Sequence, residues 1–260
     1  MKTVPIDMKD PSHESQIPAL SVVIPFHNEA ENLERLIAEV HAALTGRIAH
    51  ELVCVDDGSS DGTAQALRAE QAANPQIRIL HHRNQCGQST AVRTGVKAAC
   101  APWVVTLDGD GQNDPADIPR LFEAVRDPER PADLRLVMGK RQKRLDSAAK
   151  RYSSRIANAV RAWMLKDDTP DSGCGIKLFR RDAYLELPYF DHMHRFVPAL
   201  IQRGGGSVKS VAVNHRPREG GRSHYGTLDR LWVGIPDLLG VIWLQRRARR
   251  SIVEEWRREG

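Results

Sequence analysis

Only four cysteines (Cys54, Cys86, Cys100 and Cys174) occur in 260 residues, scattered and with no Cys-x-x-Cys pair. That spacing argues against a zinc site or a disulfide framework and suits a reducing, cytoplasmic setting. No apolar run reaches the roughly 18 residues a helix needs to begin spanning a bilayer, so no transmembrane helix is expected. The N-terminus lacks the basic-then-apolar order of a secretory signal. Residues 1–18 are polar, proline-containing and aperiodic, and read as a flexible tail. Aromatic residues make up 5% of the chain, and no helix-turn-helix, RRM or zinc-finger pattern is present. Nucleic acid is therefore not expected as a partner. No Gly-x-Gly-x-x-Gly follows the first apolar strand and no Walker A sequence occurs, which sets aside hydride-transfer and P-loop chemistry.

What the chain does have is an ordinary globular balance, 41% apolar and 27% charged, with a net charge of +5 and a pI near 9.2. The basic excess points to an anionic partner. From residue 19 to 139, short β-rich runs alternate with helical stretches. Leu20–Pro25, Glu51–Asp56, Ile77–His81, Trp103–Asp108 and Leu134–Gly139 read as strands. The first, second and fourth are apolar throughout, as central parallel strands buried on both faces are. Asn28 is the expected cap of a helix to about Leu44, Asp61 of one to about Ala73, and Asp114 of one opening with Pro115. Such alternation implies right-handed βαβ units and a doubly wound, mostly parallel α/β sheet.

Past Gly139 the pattern changes. Residues 135–155 carry eight basic side chains against one acid, Asp146. A helix to about Leu165 is expected, then a turn-rich loop from Asp167 to Gly175 and a short strand near Ile176–Phe179. A helix around Phe190–Gln202 and a strand Ser207–His215 follow. A glycine-rich basic loop then leads to a last helix from about Leu228. The organisation expected is thus a tail (1–18), a catalytic domain (19–227) and a C-terminal helix (228–260).

Ligands of open α/β sheets bind outside the carboxyl ends of the strands, and three polar clusters fall there. They are Pro25-Phe26-His27-Asn28-Glu29, then Asp56-Asp57-Gly58-Ser59-Ser60-Asp61-Gly62-Thr63, then Asp108-Gly109-Asp110-Gly111-Gln112. Two carboxylates one residue apart suit a hard cation, Mg²⁺ or Mn²⁺, which would neutralise a departing diphosphate. Alone, Asp-Gly-Asp is equally a plain acidic turn, and Asp56-Asp57-Gly58-Ser59 equally a turn with a helix cap.

Taken in order, the set is more specific. Val23-Ile24-Pro25 with Asn28-Glu29, Val55-Asp56-Asp57-Gly58-Ser59 with Asp61-Gly62-Thr63, Asn84-Gln85-Cys86-Gly87-Gln88 with Gly95, and Leu107-Asp108-Gly109-Asp110 with Gln112 closely resemble the family-2 glycosyltransferases of the GT-A fold. The Gln-x-x-Arg-Trp motif of the processive polysaccharide synthases is missing. Later segments instead resemble the dolichyl- and polyprenyl-phosphate sugar synthases: Gly139-Lys140-Arg141, Asp171-Ser172-Gly173-Cys174-Gly175-Ile176-Lys177, and Arg216-Pro217-Arg218 running into Gly221-Arg222-Ser223-His224-Tyr225-Gly226. His224 stands where many relatives carry Lys.

The resemblance implies inverting transfer of a sugar from a nucleotide diphosphosugar to undecaprenyl, dodecaprenyl or dolichyl phosphate. It implies Pro25, His27, Glu29, Asp56, Asp57, Gln88 and Asp108 around the donor, and Asp108, Asp110 and Gln112 around the metal. A phosphate acceptor arrives largely dianionic and needs cations more than a base. Arg141, Arg151, Lys177 and Arg222 are the expected phosphate contacts, with Arg141 counted among the catalytic residues. The alternative is transfer to a sugar hydroxyl in polysaccharide or lipopolysaccharide assembly, which requires a base; Asp171 is its best candidate.

Leu231–Leu244 is strongly apolar but only fourteen residues long, is interrupted by Pro236 and Asp237, and is followed by Arg246, Arg247, Arg249 and Arg250. Apolar residues beside a cationic cluster describe a segment lying in the headgroups of an anionic membrane. The expectation is a peripheral protein on the inner face of the membrane. A core helix or a homo-oligomer interface is the other use of such a segment.

Overall fold

The structure, a computed structural model, describes residues 17–142, 164–165, 167, 169, 171–217 and 227–249, with the backbone alone for 227–233. Arg151, Arg222, His224 and most of the helix expected to run to about Leu165 lie outside the described residues.

Four strands form the parallel half of one sheet: β1 (Leu20–Phe26), β2 (His50–Asp56), β3 (Ile77–His81) and β4 (Trp103–Thr106). β5 (Leu134–Arg141), β6 (Lys177–Arg180) and β7 (Ser207–Val213) complete it. The order is β3-β2-β1-β4-β6-β5-β7. Period-2 alternation divides β1 between two cores. Leu20, Val22, Ile24 and Phe26 face one core with α1 (Ala30–Leu44), α2 (Thr63–Ala73) and α4 (Ile118–Arg126). Val23 faces the other with α3 (Gln88–Ala98), α5 (Arg181–Leu185), α6 (Val197–Arg203) and α7 (Thr227–Arg246). Helices on both faces explain why these strands carry unbroken apolar runs.

β1 lies between β2 and β4, so the winding reverses there, and the carboxyl ends of β1 and β4 flank the switch point where α/β sheets bind ligands. β6 runs antiparallel to both β4 and β5, with Thr106 opposite Lys177. This single reversed strand brings the residues before its start to the carboxyl end of β4. β5 and β7 are parallel to one another, so Arg141 and the chain after Val213 reach the same rim.

Several local expectations are corrected. Asn28 does not cap α1, which starts at Ala30; it takes a left-handed conformation, φ 55°, that asparagine tolerates. Its side-chain carbonyl accepts from the Ser60 and Asp61 amides at 2.8 and 3.3 Å, tying the end of β1 to the loop after β2. Asp61 does serve α2, accepting from Thr63 N at 2.9 Å, and Asp114 accepts from Ala116 N at 3.0 Å where a 3₁₀ turn leads into α4. The helix expected over Phe190–Gln202 is broken. His192 is left-handed at φ 61°, a 3₁₀ turn follows at Met193–Arg195, and α6 starts only at Val197 with Pro198 in its first turn. The last helix, α7, is continuous through Pro236.

Candidate active site

Asp108 sits just past β4 and is held from three sides. Its Oδ1 accepts from Gln88 Nε2 at 2.7 Å, and its amide donates to Asn113 Oδ1 at 2.9 Å. On the third side is Gly175, whose missing Cβ would lie 2.1 Å from Asp108 Oδ2 and 2.5 Å from Asn113 Oδ1, so no larger residue fits. Asp110, one residue beyond Gly109, accepts from the Gln112 amide at 3.1 Å. Burial first, and then the Asp110 charge, push the Asp108 carboxyl up to about 6, against the pull of Lys177, Gln88 and Arg141.

Two of the four cations expected for an acceptor, Arg141 and Lys177, converge on the same place. Arg141, at the end of β5, makes a fork with Asp171, Nε at 2.7 Å and Nη2 at 2.6 Å, while its amide also donates to Asp171 Oδ2 at 3.2 Å. Lys177 is buried and donates to the Cys174 carbonyl. Burial pushes its ammonium down, and Asp108 and Asp171 push it back up. Asp171 is buried and takes three donors from Arg141, which speaks against it as the general base that the hydroxyl-acceptor alternative needs.

The residues expected around the donor lie mainly on the loops after β1, β2 and β3. His27 Nδ1 lies 2.8 Å from the Asp57 carbonyl, Glu29 Oε2 accepts from Asn32 Nδ2 at 2.7 Å, and the Pro25 carbonyl lies against Gly109. Asp56 and Asp57 are buried, and their carboxylates hold the protein's own loops. Asp56 accepts from Ser59 N at 3.1 Å and faces His81 Nδ1 at 2.8 Å. Asp57 accepts from the Cys86 and Gly87 amides, each at 2.8 Å, and faces His82 Nδ1 at 2.7 Å. Gly58, at φ 64°, lets this loop touch the next one, since a Cβ would come 2.5 Å from Asn84 C and Gln85 N. Gln88, expected at the donor, stands at the start of α3 against Asp108.

Sequence reasoning overlooked three contributors. Asn113 orients the Asp108 amide, and an asparagine two residues after Gly111 was the available signal. His82 backs Asp57. Arg216 braces the Asp108–Gln112 loop: its amide donates to the Gln112 carbonyl at 3.1 Å, and its guanidinium holds Asp114 and Glu39, both at 2.7 Å. Those two carboxylates lie 102 and 177 residues away in sequence, so no local pattern announces the brace.

Among the described residues, Asp57, His82 and Cys86 also bring potential metal-ligand atoms within 4.8 Å of one another. Asp57 is already occupied by two amides, and a thiol with an imidazole suits a softer metal than Mg²⁺. Asp108 and Asp110 are the better fit for a hard cation. They are oxygen donors whose crowding raises one of them, and a divalent charge would relieve that repulsion.

Residues 21–187 match the family model described as Glycosyl transferase family 2. The chain is 32% identical over 232 residues to a dodecaprenyl-phosphate galacturonate synthase of Rhizobium johnstonii, covering 87% of this chain and 67% of the relative. It is 36% identical over 215 residues to an undecaprenyl-phosphate 4-deoxy-4-formamido-L-arabinose transferase of Photorhabdus laumondii, covering 81% and 64%. The chain thus spans about two thirds of the length of these relatives. A glucosyl-3-phosphoglycerate synthase of Mycobacterium tuberculosis, solved with Mn²⁺, uridine diphosphate and phosphoglyceric acid, superimposes with a TM-score of 0.67 at 18% identity, covering 90% of this chain and 80% of that one. That likeness carries the fold, a mostly parallel GT-A sheet, while the motif order, the model match and the sequence relatives carry the assignment: this chain belongs to glycosyl transferase family 2.

Proposed function

We propose that the protein transfers a sugar from a nucleotide diphosphosugar to a polyprenyl phosphate, with inversion at the anomeric carbon. The observation that carries this reading is the convergence of Asp108 and Asp110 with Arg141 and Lys177 on one rim, in a chain whose relatives are named as polyprenyl-phosphate sugar transferases.

Asp108, Asp110 and Gln112 would hold Mg²⁺ or Mn²⁺, which would supply positive charge to the leaving diphosphate. Gln88 and the close approach of Gly175 fix the Asp108 carboxyl, and Asn113 fixes its backbone amide, before donor arrives, so little reorganisation is left for the reaction. At the other end of the donor, Pro25, His27 and Glu29 line the nucleotide's place. Asp56 and Asp57 shape the loops that enclose it. The acceptor's phosphate oxygen attacks the anomeric carbon as the carbon–oxygen bond to the diphosphate breaks, and the nucleoside diphosphate departs with that electron pair. A phosphate monoester with a second pKa of about 6 is largely dianionic at neutral pH, so no proton has to be removed. Its need is positive charge, and Arg141, held in place by Asp171, supplies it together with Lys177, Arg151 and Arg222.

Because a polyprenyl phosphate stays in the bilayer, the protein works as a peripheral protein against the inner, anionic face of the membrane. The test is a panel of nucleotide sugars with Mn²⁺ and either undecaprenyl phosphate or oligosaccharide acceptors. Label moving into the organic phase only with the lipid phosphate is the expected result. Transfer to oligosaccharide hydroxyls alone would overturn the reading.

A further inference from the structure

Among the described side chains of α7, one face is apolar and open. Ile235, Leu239 and Trp243 are exposed by 50, 57 and 59%, and they recur every fourth residue. Pro236 and Gly240, the residues beside them on that face, are exposed and uncharged as well. Where the stripe ends, Arg246, Arg247 and Arg249 stand exposed, with the Arg247 guanidinium 6.0 Å from the Trp243 ring centre. Large apolar side chains at such exposure, in register and uninterrupted by charge, are uncommon on a surface that faces only water.

The opposite face is fixed to the domain. Val241 is fully buried in the second core. Gln245 Nε2 donates to the Leu165 carbonyl at 2.9 Å, and Arg203 Nε donates to the Leu244 carbonyl at 2.9 Å. Asp237 turns inward, its Oδ2 3.4 Å from His192 Nδ1. From there the contacts lead to the site: His194 Nδ1 lies 2.8 Å from Ser89 Oγ, and the neighbouring Gln88 holds Asp108. The open stripe therefore lies on a helix bolted to the domain, and the inward face of that helix packs on residues next to those that hold Asp108.

We propose that this face of α7, Ile235, Leu239 and Trp243 with Arg246, Arg247 and Arg249, docks on an anionic lipid surface. The apolar residues enter the boundary between headgroups and acyl chains, and the arginines meet lipid phosphates. Trp243 suits that boundary, since its ring is amphipathic. Among candidate occupants, an anionic lipid surface is favoured by charge complementarity, since the stripe runs directly into three exposed arginines. The proposal deepens the membrane part of the function proposed above and rests on that reading for its purpose. Its test does not, because the vesicles contain no polyprenyl phosphate.

The experiment is flotation of the full chain with phosphatidylcholine vesicles, with and without phosphatidylglycerol. Binding is expected only with the anionic lipid. Replacing Leu239 and Trp243 together by Glu should abolish it, and the milder Leu239→Asn should weaken it. Changing Arg246, Arg247 and Arg249 to Gln should weaken it on the order of 100-fold at low salt, at about fivefold per charge. Melting curves show that each variant folds, and transfer measured in detergent reports separately on the catalytic reading. Wild-type binding by the Glu variant would overturn the proposal. So would a Glu variant that splits an oligomer in gel filtration yet still floats, which would assign the face to a second copy.

Discussion

Asp108 and Asp110 are one glycine apart, but they are held differently, and two predictions follow from the difference. Asp110 contributes no core packing, and its carboxylate accepts from the Gln112 amide within its own turn. Asp110→Asn should therefore melt near the wild-type temperature yet retain less than about a tenth of its turnover, a barrier rise above ~1.4 kcal/mol. EDTA should silence the wild type, and Mg²⁺ or Mn²⁺ should restore it. Turnover above that level would remove Asp110 from the metal site. Asp108 is raised to about 6 by burial and by Asp110. It therefore takes up a proton as pH falls through about 6, well above where an unfolded aspartate would, and a metal has to displace that proton. Mn²⁺ affinity should fall as pH drops from 7.5 to 5.5 (values chosen to bracket about 6), and binding near pH 6 should release a proton. Calorimetry in two buffers of different ionisation enthalpy reads that release. A proton count of zero throughout would place the cation elsewhere.

At the scale of the element, the sheet's parallel half was legible because its signals are local. Leu20–Phe26 and His50–Asp56 announce themselves by apolar content and by the polar residues that end them. The other half was less so. β6 is only four residues long, and its antiparallel placement between β4 and β5 is set by pairings 39 to 77 residues apart, which no window of sequence contains. With it went the reason that Lys177 and Gly175 meet Asp108. The start of α6 was legible in principle, since Pro198 marks a first turn, but the apolar spacing before it suggested a longer helix. The Arg216 brace is the clearest case of a contact only the fold can make. Its guanidinium and its partners are partly exposed, so Arg216→Ala should cost only about 1 kcal/mol in stability. Turnover should fall at least tenfold, because Asp114 and Glu39 would lose the guanidinium that ties the residues after the Asp108–Gln112 loop in place, a ~1.4 kcal/mol effect on the barrier. Arg216→Lys should recover part of the loss. Unchanged kinetics with lowered stability would make the brace structural alone.

At the scale of the whole molecule, the proposed donor touches loops from opposite sides of the switch point. The nucleotide lies toward β1, β2 and β3, and the diphosphate lies toward β4 through the cation. Neither part alone bridges the two sides, so metal and nucleotide should bind cooperatively, each raising the other's affinity by the same factor. A ligand that binds only the native state adds about 2.7 kcal/mol at a hundredfold excess over its Kd. For a chain of this size that is a rise in melting temperature on the order of 5–10 °C. Mn²⁺ with a nucleoside diphosphate should therefore raise the melting temperature by more than the sum of the two separate shifts. In Asp110→Asn the excess should vanish while the small shift from nucleotide alone remains, because Pro25, His27 and Glu29 are untouched. Strictly additive shifts in the wild type, or an excess that survives in Asp110→Asn, would mean that the cation and the nucleotide do not meet across β1 and β4.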